Sequence, residues 1–242
     1  MSRFTLRLLG SPEVVRGVEK FALPTRKLWA IVGYLATQEH PVERGTLAGL
    51  LWSQADEERA RGNLRQELYR LRGSPAEALL VVQPDTLALA QHTSDLLEVM
   101  HCREQTDWKG VLSQFRGEFA AGLSVRGAPA FEDWLLLERE HWQGLWREAA
   151  RKRAQELAST QPEEAQALLE RILAADPFQE DLLRRLLTLI AGLQGAAAAL
   201  ERYRRYRTLL WREFSLEPLP ETLELVERLH QGQTPPPSPL PE

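Results

Sequence analysis

Residues 56–72 read DEERARGNLRQELYRLR, and the period of this stretch decides how the chain on either side is parsed. At about 100° per residue, Ala60, Leu64, Leu68 and Leu71 fall within roughly 80° of one another, an apolar stripe that a helix buries. Ser53 or Asp56 can accept hydrogen bonds from the first free backbone N–H groups, and Gly73-Ser74-Pro75 stops the helix near Arg72. The other face presents Arg59, Gly62, Gln66, Tyr69 and Arg70, flanked by Asn63 and Arg65. From Arg59 to Arg72 there are five arginines and a single acid, Glu67.

Upstream, Phe4, Leu6 and Leu8 alternate with polar residues, and Val14, Val15, Phe21 and Leu23 follow turn signals, so an N-terminal antiparallel sheet of three strands is expected. Leu28, Ile31, Val32 and Leu35 give a first helix that ends near His40-Pro41, and Leu47, Leu50, Leu51 and Trp52 give a short second one. Downstream, Leu80 to Val82 and Leu87 to Leu89 flank Pro84-Asp85, which predicts a hairpin. A small sheet, three helices and a hairpin within residues 1–92 describe a winged helix-turn-helix.

The exposed face of the third helix has the chemistry to read a nucleic acid. A guanidinium forks onto guanine O6 and N7 or onto phosphate, Asn and Gln pair with adenine, and a glycine lets backbones approach closely. Arg59, Asn63, Arg65, Gln66, Tyr69, Arg70 and Arg72 are the candidate contacts to double-stranded DNA. Residues 1–92 carry 12 Lys and Arg against 10 Asp and Glu, whereas the remainder carries 18 against 24. A local basic cluster in an acidic chain points to a dedicated anionic partner. The hairpin tip, Gln83 to Thr86, is the exception, with Asp85 and no base.

From Asp95 onward strand signals vanish. A long helix is expected over 129–157, then helices near 162–174, 178–192, 195–213 and 219–230. Asp176-Pro177 and Glu217-Pro218 stand 41 residues apart, each before a new helix, a spacing that fits tetratricopeptide-like hairpins. The fold class expected is mainly α: an N-terminal winged helix-turn-helix (α+β), then an all-α tetratricopeptide-like helical repeat domain over 93–232. Residues 233–242 hold five prolines and are expected to form a disordered tail. Trp134, Trp142, Trp146, Tyr203 and Tyr206, at helical spacing, read as packing residues.

Composition excludes several classes. The single Cys102 cannot form an internal disulfide and suits a reducing cytoplasm. No apolar run reaches the roughly 20 residues of a membrane span. His92, His101 and Cys102 fit no zinc spacing, and neither a phosphate loop nor a nucleophile elbow appears, so no catalytic residue, metal or cofactor is expected.

Several motifs recur in a telling order. They are Leu8-Leu9-Gly10, Leu50-Leu51-Trp52, Leu68-Tyr69-Arg70-Leu71-Arg72, Gly117-Glu118-Phe119 and Phe131-Glu132-Asp133-Trp134. Asp176-Pro177-Phe178-Gln179-Glu180, Ala199-Leu200 with Tyr203 and Tyr206, and Leu216-Glu217-Pro218 complete the series. The chain resembles the Streptomyces antibiotic regulatory protein family, which joins an OmpR-type winged helix to a bacterial transcriptional activator domain. The resemblance implies an activator that binds promoter repeats as a homodimer and recruits RNA polymerase, with the helical domain supporting self-association. It departs from the family at Glu43, where a Ser or Thr cap is usual, at Gly73, which shortens the third helix, and at the acidic hairpin tip. The competing reading is a helical-repeat adaptor whose winged helix makes protein contacts.

Overall fold

Alternation at the N-terminus makes a strand because one face of it has a core to cover: β1 (Phe4–Arg7) buries Phe4 and Leu6 and exposes Arg7. The computed structural model describes residues 4–233. The proline-rich segment lies outside the described residues. After β1 come β2 (Glu13–Arg16), β3 (Glu19–Phe21), α1 (Arg26–Ala36), β4 (Val42–Glu43), α2 (Arg44–Leu51), α3 (Glu57–Tyr69), β5 (Leu80–Val82), β6 (Thr86–Leu89) and β7 (His92–Ser94). Then only helices follow: α4 (Asp95–Glu104), α5 (Trp108–Gln114), α6 (Pro129–Leu157), α7 (Pro162–Ala175), α8 (Glu180–Gln194), α9 (Ala196–Phe214) and α10 (Pro220–His230).

Two small sheets frame the first three helices. One has the order β3-β2-β1-β7 and the other β4-β6-β5. The expected three-stranded sheet gains β7, which runs parallel to β1 and sets Phe4 opposite His92 and Leu6 opposite Ser94. The expected hairpin, with Leu80 opposite Leu89, gains β4, with Val42 opposite Leu87. Neither added strand alternates, because each is two or three residues long and is held by its ladder.

Contacts divide the chain into two compact units, 1–146 and 147–242. This packing boundary does not coincide with the sequence boundary at 92/93, which falls inside β7. In the first unit, two motifs far apart in sequence lie backbone to backbone. Arg116 N–H donates to Leu9 O at 2.9 Å, Ala120 N–H to Leu8 O at 2.7 Å and Ala121 N–H to Gly10 O at 2.9 Å. Gly10 has φ +135°, which L side chains rarely adopt, and a Cβ there would press on Arg116 Cβ at a tight 3.1 Å, so glycine suits both the backbone and the close approach. Asp95 at the start of α4 completes the junction. Its buried carboxylate accepts from Leu8 N–H at 2.7 Å and Leu9 N–H at 2.8 Å, with the Arg116 guanidinium 3.6 Å away. Burial pushes the Asp95 carboxyl up, while those two N–H groups and Arg116 pull it back.

The aromatic residues expected to pack do so. Trp134 lies 5.0 Å from Tyr34 and 5.3 Å from Phe131 between ring centroids, and Trp142 stacks 6.3 Å from Phe119. In the second unit, α7 packs on α8, α8 on α9 and α9 on α10, around Leu169, Ile172, Leu183, Leu186, Leu187, Tyr203 and Tyr206. Glu180 pins the start of α10, accepting from Leu219 N–H at 3.0 Å and Thr222 Oγ1 at 2.5 Å.

Candidate nucleic-acid interface

The N-terminus of α3 is fixed by Asp56, whose carboxylate accepts from Arg59 N–H at 2.8 Å, leaving Ser53 outside the cap. Glu57 and Glu58 in the first turn complement the helix dipole. Ala60, Leu64 and Leu71 are buried as the period requires. Leu68 is half-exposed instead, and Glu67 is buried beside it. Its place is set by a residue 42 positions upstream: Thr25 Oγ1 donates to Glu67 Oε2 at 2.5 Å, and Arg70 Nη1 pairs with Oε1 at 2.7 Å. Thr25 also caps α1, accepting from Leu28 N–H at 3.1 Å, so one hydroxyl locks α3 to the start of α1.

This network separates arginines that the sequence leaves equivalent. Arg70 is committed to Glu67 at 2.7 Å. Arg61 pairs with Glu57 at 2.7 Å across one turn. Arg72 lies beyond the helix, which ends at Tyr69 and not at Arg72, and its guanidinium sits 5.3 Å from the Tyr69 ring centroid. Arg59 and Arg65 are exposed, and their side chains have no ion pair or hydrogen bond among the described residues. Gln66 and Tyr69 are exposed next to them, while Asn63 and Gly62 are half-buried.

The β5–β6 hairpin stands beside α3. An open cleft of about 430 Å³ is lined by Arg44, Arg61 and Arg65 on one side and by Pro84, Asp85 and Thr86 on the other. A second, of about 560 Å³, runs between Tyr69 and Arg72 of the helix end and Leu80 and Val82 of β5. Arg44 opens α2 where Glu43 makes no side-chain cap, and it is the residue that sequence reasoning missed. Its N–H donates to Asp85 O at 2.8 Å and its Nη1 to Pro84 O at 3.3 Å, so a base from α2 holds the tip that has none of its own. Because β4 and its pairing with the hairpin are set by tertiary structure, nothing in the local sequence marks Arg44 for this role. Arg44→Ala is expected to loosen the tip by about 0.5–1.5 kcal/mol, the worth of a side-chain hydrogen bond. Faster amide exchange at residues 83–86, with α3 unchanged, would be the readout.

The histidines and the cysteine considered as ligands are engaged elsewhere. His92 Nδ1 is 2.8 Å from Ala90 O, His101 Nε2 is 3.0 Å from Gln105 Nε2, and buried Cys102 donates to Glu98 at 3.7 Å. Among the described residues no helix is long and apolar enough to cross a membrane.

The profile described as bacterial transcriptional activator domain matches residues 88–230, more than half of the chain. The chain belongs to that family. Bacterial transcriptional activator domains are parts of transcriptional regulators, not of enzymes. The matched segment starts inside β6, so β7, Asp95 and every later helix lie within it, and α3 with its arginines precedes it. The fold is similar to that of EmbR from Mycobacterium tuberculosis, solved in complex with a low-affinity phosphopeptide, at a TM-score of 0.70 and 22% identity. The likeness covers 96% of this chain and 66% of the EmbR chain, slightly under two thirds of its length. No match was found among curated proteins.

Proposed function

We propose that this bacterial transcriptional activator domain protein is a sequence-specific DNA-binding regulator, an activator of the Streptomyces antibiotic regulatory protein type. Residues 1–92 form its OmpR-type winged helix, and residues 93–232 form a tetratricopeptide-like helical domain that contacts RNA polymerase and supports a homodimer on DNA. That role places it in the cytoplasm. The observation that carries the reading is the pair Arg59 and Arg65, exposed on a capped helix with no side-chain partner among the described residues, beside Asn63, Gln66 and Tyr69. Guanidiniums left free next to amide side chains suit a major groove, where they fork onto guanine and phosphate. Arg70 and Arg72 lie at the rim, the first oriented by Glu67 and the second by Tyr69.

The test is selection of random duplex DNA on the purified chain, followed by a salt titration of the enriched site. An enriched motif with a steep negative salt slope is expected. No enrichment at low salt would remove the reading and favour the adaptor. Gly62 supplies a finer check. A Cβ there meets only Arg65 Nη2, at an ordinary 3.9 Å. Gly62→Ala is therefore expected to raise stability by up to about 1 kcal/mol while weakening DNA binding, if this face of α3 abuts the duplex. Unchanged affinity would move the contact to another part of the helix.

A further inference from the structure

Lys27, in the first turn of α1, stands against an aromatic face beside α3. Its Nζ lies 4.2 Å from the centroid of the Trp52 ring at the end of α2, a distance at which ring and ammonium attract. Glu67 is the carboxylate next to it, but both oxygens of that group are taken. Thr25 Oγ1 donates to Oε2 at 2.5 Å, and Arg70 Nη1 donates to Oε1 at 2.7 Å. Among the described residues Lys27 has no hydrogen bond or ion pair of its own. Burial pushes the pKa of its ammonium down, the charge of Glu67 opposes this, and the charge of Arg70 adds to it. Two cations therefore share one carboxylate where α1, α2 and α3 meet, and a half-buried ammonium is left without an anion.

Position around α3 tells what the anion is. At about 100° per residue, Arg65 and Arg70 stand about 140° apart, with Gly62 and Gln66 between them. On the Arg65 flank, Arg44 and Arg61 add two further guanidiniums along the cleft wall. On the other flank α3 offers Asn63 and Arg70, and Arg70 is committed to Glu67. A helix lying in a major groove about 12 Å wide has a phosphate strand along each flank. Cations on the Arg65 side alone would neutralise one strand of the two, and Lys27 stands on the side that lacks a free one. We propose that Lys27 is a DNA-backbone contact: α1 delivers its ammonium to the phosphate strand on the Arg70 flank of α3, and the Trp52 ring holds it there. An ammonium is a compact point charge that needs no fixed orientation, so it suits a phosphodiester better than a base edge. Such a contact sets the register of the protein on the duplex without reading sequence. The occupant is the duplex of the proposed regulator, so this contact rests on that reading.

The test uses the full chain with the selected duplex and an unrelated duplex of equal length, each titrated from about 0.05 to 0.3 M salt. Lys27→Met keeps an unbranched stem against Trp52 and removes the charge. It is expected to weaken binding to both duplexes by the same factor, roughly three- to tenfold near about 0.1 M salt, and to flatten the logarithmic salt slope by about one. Lys27→Arg is expected to restore both. If Lys27→Met lowers the thermal midpoint, Lys27→Gln takes its place. A second measurement does not depend on any variant being equally stable: single backbone phosphates of the selected duplex are replaced in turn by uncharged methylphosphonates. At one position the replacement is expected to weaken the parent and leave the Lys27 variant unaffected, the signature of a coupled pair. Unchanged affinity and slope in the variant, a loss confined to the selected duplex, or no position at which the two chains differ would overturn the contact. When the parent binds and the variant matches it, the contact alone falls. A parent that binds no duplex removes the regulator reading and the contact with it.

Discussion

Arg65→Ala and Arg59→Ala are each expected to weaken binding to the selected DNA site by roughly 1–3 kcal/mol where the contact is to a base, a loss of about 5- to 150-fold. If the contact is to phosphate, the loss is similar on all sequences and the salt slope falls by about one ion. These two positions make clean probes. Neither side chain is held by another group of the fold among the described residues, so the thermal midpoint should stay close to that of the parent. Arg70→Ala is the contrasting control. It strips buried Glu67 of a 2.7 Å ion pair and leaves it the hydrogen bond from Thr25, so stability falls before DNA affinity can be read. Normal affinity in the Arg59 and Arg65 variants together, with the fold intact, would take α3 out of the interface.

The second large effect is on stability and lies at Asp95. Asp95→Ala leaves the N–H groups of Leu8 and Leu9 without their acceptor at a buried junction, and a loss of about 1–3 kcal/mol is expected for each buried donor left unsatisfied. Asp95→Asn keeps a carbonyl acceptor and should lose less than half of that. The pH dependence tells the electrostatic part from the packing part. Burial raises the folded-state pKa of Asp95 above its unfolded value near 3.9. The native state therefore takes up a proton before the unfolded state does, and this group adds stability as pH falls through its raised pKa. Glu13 has the opposite sign. Its hydrogen bond from Lys20 holds its carboxyl low, with Arg7 and Arg116 adding to the effect against some burial, so its contribution is present above the usual carboxylate range and is lost below it. Subtracting the urea-derived stability of Asp95→Asn from that of the parent between pH 3 and 7 should isolate the Asp95 gain on acidification. A flat difference would assign the junction to hydrogen-bond geometry alone.

Much of the helical half is legible because helix signals are local. Breakers at Gln161-Pro162, Asp176-Pro177 and Glu217-Pro218 fall at helix boundaries, and the expected 129–157 helix is α6 in full. The Pro84-Asp85 turn places the hairpin for the same reason. What escapes is whatever a distant residue supplies. His92-Thr93-Ser94 has no alternation to announce a strand, and it becomes one because β1 arrives alongside, with the Thr5 and Thr93 hydroxyls 2.9 Å apart. The segment at the expected boundary between 92 and 93 is therefore part of the first sheet.

The candidate site divides along the same line. By itself the sequence determined that the stretch after Asp56 forms a helix with a buried stripe and an arginine-rich outer face, since both follow from a 3.6-residue period and the identity of the side chains, while its end at Tyr69 was expected near Arg72. Only the tertiary structure decided which arginines remain free. Thr25, brought in from α1, buries Glu67, and buried Glu67 then claims Arg70 while Arg59 and Arg65 stay in solvent. A period along one chain fixes which face a residue occupies. Its partner is set by what folds up against that face, and here that comes from 42 residues away.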